Sequence, residues 1–220
     1  MPGHVLPAPI LQPYLLVLFS LPFYVDGGGR RWINALWAKD LVEHARYIKK
    51  LTLAAPAVRE SAPADCVAMD DIPALRSVRC VELPFSQAWS RALASLPEVL
   101  STLWAELKRA RVVHSAVAAW PIPEAWLLVP LLWLRPRPLY LNVESAFWRV
   151  VPGSSAPLSK RIKAYFVERV HRFCLAQSDL STFTHEGYRR SLLPGRSTAH
   201  VVEASWIGRA SCRERVYGLV

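Results

Sequence analysis

Tyr14-Leu15-Leu16-Val17-Leu18-Phe19, followed by Asp26-Gly27-Gly28-Gly29-Arg30-Arg31-Trp32 and then by the segment Ile33 to Ile48, is the stretch that decides the fold. The first run is apolar without alternation, as a parallel strand buried on both faces is. In the last segment Leu36, Trp37, Leu41, Tyr47 and Ile48 recur at helical spacing with Lys39, Asp40, Glu43 and Arg46 between them. The expectation is strand, glycine loop, helix. Three consecutive glycines let the backbone approach a ligand or turn through positive φ, and the free N–H groups at the helix start favour an anion. A tight turn without a ligand is the alternative reading.

Working outward, the same alternation continues. Short apolar segments at 51–55, 78–82, 111–115, 138–144, 180–183 and 200–203 read as strands. Between them, 86–107, 123–134, 157–176 and 186–193 read as helices, with Ser86 as an N-cap and Pro97 as a break in the second helix. On the fourth, Ile162, Tyr165, Phe166, Val170, Phe173 and Cys174 line one face. Residues 57–76 read as a surface connection. Strands alternating with helices give βαβ units, so the predicted fold class is α/β: a Rossmann-like, open, mostly parallel sheet with helices on both faces. Ligands of such sheets sit beyond the C-terminal strand ends, which puts the glycine loop, His114–Ser115, Glu144–Ser145 and Thr184–His185 on one rim.

The chain has 220 residues, 52% of them hydrophobic and 20% charged, enough for one sizeable core and too apolar for a disordered chain. Its net charge of +10 invites nucleic acid, an anionic membrane or a phosphorylated substrate as partner. The basic residues are dispersed, with no interleaved aromatic signature, so nucleic acid is not expected. The four cysteines (Cys66, Cys80, Cys174, Cys212) are far apart, which favours neither a zinc site nor a disulfide framework. The apolar runs are cut by prolines and shorter than a membrane span, so a cytoplasmic location is expected, with peripheral contact at the inner membrane face through the basic patch Lys160-Arg161-Ile162-Lys163 as an addition.

Several pieces resemble the N-terminal, acceptor-side half of a GT-B glycosyltransferase of the family-4 type. They are the glycine loop running into Trp37-Ala-Lys-Asp-Leu41, the strand Val112-Val-His114, and Ser178-Asp-Leu-Ser-Thr-Phe-Thr184 with Glu186 and Tyr188-Arg-Arg after it. Val201 to Trp206 resembles the crossing into a second domain. The resemblance implies a hexosyltransferase, retaining in stereochemistry, that moves a sugar from a nucleotide-sugar donor to an acceptor, without a metal or other cofactor. It implies a donor half with a cationic diphosphate site and a Glu-x7-Glu pattern, absent from these 220 residues, so that this chain alone should turn over little. Two positions depart from the family: Ala116 and Glu144 stand where histidines often do. The tail Ile207-Gly-Arg-Ala-Ser-Cys-Arg-Glu-Arg-Val216 resembles translated sequencing-adapter read-through. The expected organisation is a lead-in at 1–13, the domain at 14–206 and a non-native tail at 207–220.

The candidate catalytic residues are Glu144 and His114. A carboxylate at the end of a strand can accept a hydrogen bond from an acceptor hydroxyl or act as base; pairing with Arg149 or capping a helix is the alternative for Glu144. His114 reads equally well as a hydrogen-bonded structural residue. Gly27, Gly28, Gly29, Arg30, Ser115, Ser145 and Trp148 are the candidate phosphate- and acceptor-binding residues. Trp148 is singled out from the aromatic group Trp120, Trp126, Trp133, Phe147 and Trp148, whose other members read mainly as core. A doubly wound dehydrogenase or other nucleotide-binding Rossmann-type enzyme is the competing class, disfavoured because the loop lacks Gly-x-Gly-x-x-Gly and the acid expected ~20 residues on; a non-catalytic membrane-surface module is the third.

Overall fold

A computed structural model of the chain describes residues 9–117, 119, 121–150, 155–195 and 198–202. Most of the expected lead-in, Trp120, the residues of the expected domain crossing from 203 on, and the whole 207–220 tail lie outside the described residues. The first strand, β1 (Ile10–Val17), begins inside the expected lead-in and contains Pro13, where its register against the neighbouring strand shifts. Proline cannot donate to a ladder, so a bulge there is the tolerated arrangement. From Tyr14 onward β1 is buried, and its side chains alternate: Leu15 and Val17 point into one hydrophobic cluster, Tyr14 and Leu16 into another.

That double burial follows from the topology. β1 is hydrogen-bonded in parallel to β4 (Ile48–Val58) on one side and to β7 (Val112–Ala116) on the other. Beyond β4 comes β6 (Arg79–Pro84); beyond β7 come β8 (Leu139–Val143), β9 (Leu180–Phe183) and β10 (Ala199–Val201), all parallel. The parallel strands therefore run β6-β4-β1-β7-β8-β9-β10, with the order reversing between β1 and β7. This is the Rossmann-like, doubly wound arrangement expected from the alternation of elements.

One face is covered by α1 (Ala35–Tyr47), whose Ala38 and Leu41 join Leu16, Leu53 and Phe23 in one cluster. Asn34 starts α1 by accepting the Leu36 N–H on its side-chain oxygen at 3.0 Å, one of the orphan donors of a helix start. The other face is covered by α2 (Trp89–Leu107), α3 (Glu124–Leu134), α4 (Leu158–Ala176) and α5 (Glu186–Leu192), which pack Leu103, Leu128, Leu175 and Leu192 around Leu15 and Val17. Helices change face where the strand order reverses, as right-handed crossovers require.

Three short strands were not legible in the sequence. β2 (Phe23–Val25) and β3 (Arg31–Asn34) form an antiparallel hairpin, and β5 (Cys66–Ala68) extends it. The expected surface connection at 57–76 thus contributes a strand and two 3-10 turns, and its Met69 and Leu75 are core residues. The expected helix start at Ile33 is corrected too: Ile33 lies in β3, fully buried. The fourth helix has less of a buried stripe than its periodicity suggests. Val170 and Cys174 pack on the core, but Ile162, Tyr165, Phe166 and Phe173 are exposed.

The second helix also departs from expectation. α2 runs unbroken through Pro97, and Ser86 does not cap it: the cap residue is Ala88, without a side-chain hydrogen bond. Pro97 has no N–H for the Leu93 carbonyl, but both residues are exposed, so water can serve that acceptor. Replacing Pro97 with alanine restores the missing helical bond on a solvent face. Urea unfolding of P97A is expected to show a gain of about 1–2 kcal/mol; a loss would show that the proline holds a bend the packing needs.

Candidate active site at the strand-order reversal

The glycine loop lies in the β2–β3 hairpin, not in a strand-to-helix turn. β2 pairs in parallel with the last residues of β4, so the hairpin projects past the C-terminal end of that strand and stays on the expected rim. The turn is closed by hydrogen bonds from Gly29 N–H to the Asp26 carbonyl (2.9 Å) and from Asp26 N–H to the Arg30 carbonyl (3.1 Å). Of the three glycines only Gly29 takes a positive φ, +79°, which a side chain would resist.

The hairpin already carries its own anion. One carboxylate oxygen of Asp26 accepts the N–H groups of Gly28 and Arg30, each at 2.9 Å, and the other accepts the Trp32 indole N–H at 3.0 Å. These bonds hold the Asp26 carboxyl below its ordinary range, the Trp32 contact contributing most. The amides that a phosphate would use at Gly28 and Arg30 are therefore occupied by a side chain of the same turn. The guanidinium of Arg30 is engaged as well, its Nη2 donating to both Asp71 carboxylate oxygens at 2.8 and 3.0 Å, and it lies over the Trp32 ring.

The other anticipated residues separate into two groups. His114 and Ser115 lie within β7, behind the rim. The His114 ring is buried beneath α1, stacked on Tyr140 at 4.0 Å and on His44 at 5.5 Å, with Tyr14 edge-on at 6.0 Å. Burial, reinforced by His44, pushes its pKa down to about 3, so it is neutral at physiological pH. Ser115 faces the opposite side, fully buried, and donates its hydroxyl to the Val17 carbonyl at 2.8 Å, tying β7 to β1. Trp148 is half-buried, packed edge-on against His171 of α4 at 4.3 Å.

Glu144 and Ser145 do reach the rim, exposed just after β8. The Glu144 carboxylate accepts from the Asn142 side chain at 3.2 Å, and its carbonyl accepts from Thr184 at 2.7 Å. Arg149, the alternative partner, is bidentate on Glu168 instead, at 2.7 and 3.1 Å. Asn142 lies in a polar row across the sheet: it accepts from Thr182 at 3.0 Å, and Thr182 contacts the Tyr140 hydroxyl at 2.7 Å. Next along the rim, His185 caps α5 by accepting the Gly187 N–H on Nδ1 at 2.9 Å. A side chain at 187 would meet that imidazole at 2.9 Å, so the cap requires glycine there.

One rim residue escaped the sequence reading. Glu124 opens α3 and is completely buried. One of its oxygens accepts the Phe19 N–H at 2.5 Å, bridging the loop after β1 to the helix after β7, where the strand order reverses. Its second oxygen is buried, without a hydrogen-bond partner of good geometry among the described residues. Burial raises its pKa to about 8 against the pull of nearby N–H groups, and the Glu144 charge adds to the rise. The rim thus carries one buried carboxyl that keeps its proton at neutral pH and one exposed at the surface. The available signal was a single acid in an otherwise apolar helical segment. Beside it, Phe19, Pro56, Pro84, Val99, Ile122 and Leu127 line an apolar cavity of about 40 Å3. Among the described residues no group of three or more His, Cys, Asp or Glu is arranged to hold a metal ion.

These burials set the pH dependence of stability. Folded Glu124 holds a proton up to about pH 8, whereas its ordinary value is 4.5. The Glu124 contribution to stability therefore falls as pH rises from 4.5 towards 8, by at most ~1.4 kcal/mol per pH unit, and dominates above 6.5. Folded His114 and His171 are depressed to about 3 and about 4 from 6.5 by burial, so stability falls again as pH drops below 6.5. Urea titrations across pH should find Glu124→Gln flattening the alkaline limb and His114→Phe flattening the acid limb. Unchanged slopes in both variants would contradict this assignment.

No protein-family model matches the chain, and no curated protein matches it.

Proposed function

We propose that the chain is the acceptor-side domain of a GT-B-type, sugar-transferring enzyme that uses a nucleotide-activated sugar. The observation that carries this reading is buried Glu124 at the strand-order reversal, the place where open α/β sheets take their ligands, with Glu144 exposed on the same rim at the end of β8. In this reading Glu144 meets the acceptor hydroxyl, which it orients or deprotonates, while Ser145 supplies a further hydrogen bond. Buried Glu124, protonated and bonded to Phe19 N–H, is a positioning residue that sets the floor of the acceptor site. The nucleotide and its diphosphate belong to a second domain.

The hairpin supports this division. Its amides and Arg30 are committed to Asp26 and Asp71, so it suits a wall lined with hydroxyl acceptors better than a phosphate cradle. The same fact speaks against a dinucleotide-binding enzyme, in which the glycine turn would lead straight into a helix and present free amides.

The test uses the full-length gene product. Its coding sequence should continue into a second α/β domain containing Glu-x7-Glu, and the product should release nucleoside diphosphate from a nucleotide-sugar when an acceptor is present. Glu144→Gln is expected to lower kcat by roughly 100-fold with an unchanged circular dichroism spectrum. A continuation without such a domain, or NAD(P)-dependent turnover in place of sugar transfer, would sink the proposal.

A further inference from the structure

Helix α4 has two apolar seams on opposite sides. His171, Cys174 and Leu175 are buried on the inner one, and Val170 packs against the same core cluster. Leu158, Ile162, Tyr165 and Phe173 recur on the outer side, with Arg169 at the remaining position of that repeat. They are 72%, 60%, 70% and 46% exposed. At 1.5 Å per residue the outer seam is about 22 Å long. It continues onto the end of α3, where Trp133 packs edge-on against Phe173 and Leu134 is 76% exposed. A helix with one seam in the core needs no second one for folding, so the outer seam asks for another explanation.

The charge around it narrows the occupant. α4 carries Lys160, Arg161, Lys163, Arg169 and Arg172 against a single acid, Glu168, which is itself held by Arg149 and Arg172. Arg169 stands within the seam. The dry centre of a protein interface would bury that guanidinium, whereas in a lipid headgroup layer its long stem lies along the apolar surface and its head meets phosphate. Tyr165 and Trp133 suit the same layer, with an apolar ring and a polar edge. No described helix is long and apolar enough to cross a membrane, so contact by α4 would be in the plane of the surface.

We infer that the outer seam of α4 docks the protein on an anionic membrane surface, with Leu158, Ile162, Tyr165 and Phe173 entering the headgroup boundary and Arg169 within the seam meeting lipid phosphates and carboxylates. This does not depend on the sugar-transfer reading, and vesicle binding measures nothing of sugar transfer, so either can fail alone.

The purified chain is mixed with phosphatidylcholine vesicles with and without about one-third phosphatidylserine and sedimented. The expected result is binding to the anionic vesicles only, weakening as salt rises. Ile162→Glu with Tyr165→Glu, both at exposed positions, should reduce it at least tenfold with an unchanged far-ultraviolet spectrum. Arg169→Glu should reduce it roughly fivefold or more. Equal binding to neutral vesicles, no binding at all, or insensitivity to these substitutions would overturn the inference. So would a concentration-dependent dimer that disappears in the double variant, because a second copy of the chain would then be what covers the seam.

Discussion

Every other element is arranged around the burial of β1 on both faces and both edges. Tyr14 to Val17 are bonded to β4 and β7 at once, while their side chains alternate between two hydrophobic clusters. A strand so enclosed can bear a polar side chain only where it is hydrogen-bonded or neutral, as Ser115 and His114 are in neighbouring β7, and its neighbours must be covered on both faces. α1 supplies one cover and α2 to α5 the other. The reversal of strand order beside β1 leaves the loops after β1 and β7 apart from each other, opening the crevice that Glu124 spans. Fold and site thus share one origin.

The rim is organised by carboxyl groups in unlike surroundings. Asp26 is solvated and accepts three N–H bonds, which favours its charged form; Glu124 is sealed in the interior, which favours its neutral form despite its bond to Phe19. The first stiffens a hairpin, the second ties two loops together, and Glu144 is left exposed on the surface between them and the polar row of β8 and β9. A nucleotide cradle would need free amides, and in the glycine hairpin those of Gly28 and Arg30 are bonded to the Asp26 carboxylate. That is why the proposed role rests on the carboxyl groups and not on the glycines.

The strands and helices with strong periodicity were legible because burial writes directly into them. β9 (Leu180–Phe183) lies where the apolar run put it, α4 and α5 differ from expectation by a residue at one end, and β8 by a residue at each end. The hairpin was not legible: Phe23-Tyr24-Val25 and Arg31-Trp32-Ile33-Asn34 are too short for a period to declare itself, and their pairing depends on the exposed end of β4. Pro97 misled because a proline's local penalty shrinks where the orphaned carbonyl faces water. His114 was expected at the rim because strand ends cannot be located to a residue from an apolar run; two residues further in, α1 and Tyr140 cover it.

The sequence by itself determined the α/β class, the parallel order implied by alternating elements, and the dispersal of positive charge, because apolar period and charge are local properties of the chain. Tertiary structure alone decided that the glycine run turns a hairpin, that Glu124 keeps its proton, and that α4 turns a second apolar seam outward. Each of those depends on what comes to lie beside a residue from far along the chain. Phe19 meets Glu124 across 105 positions, and no spacing rule reaches that distance.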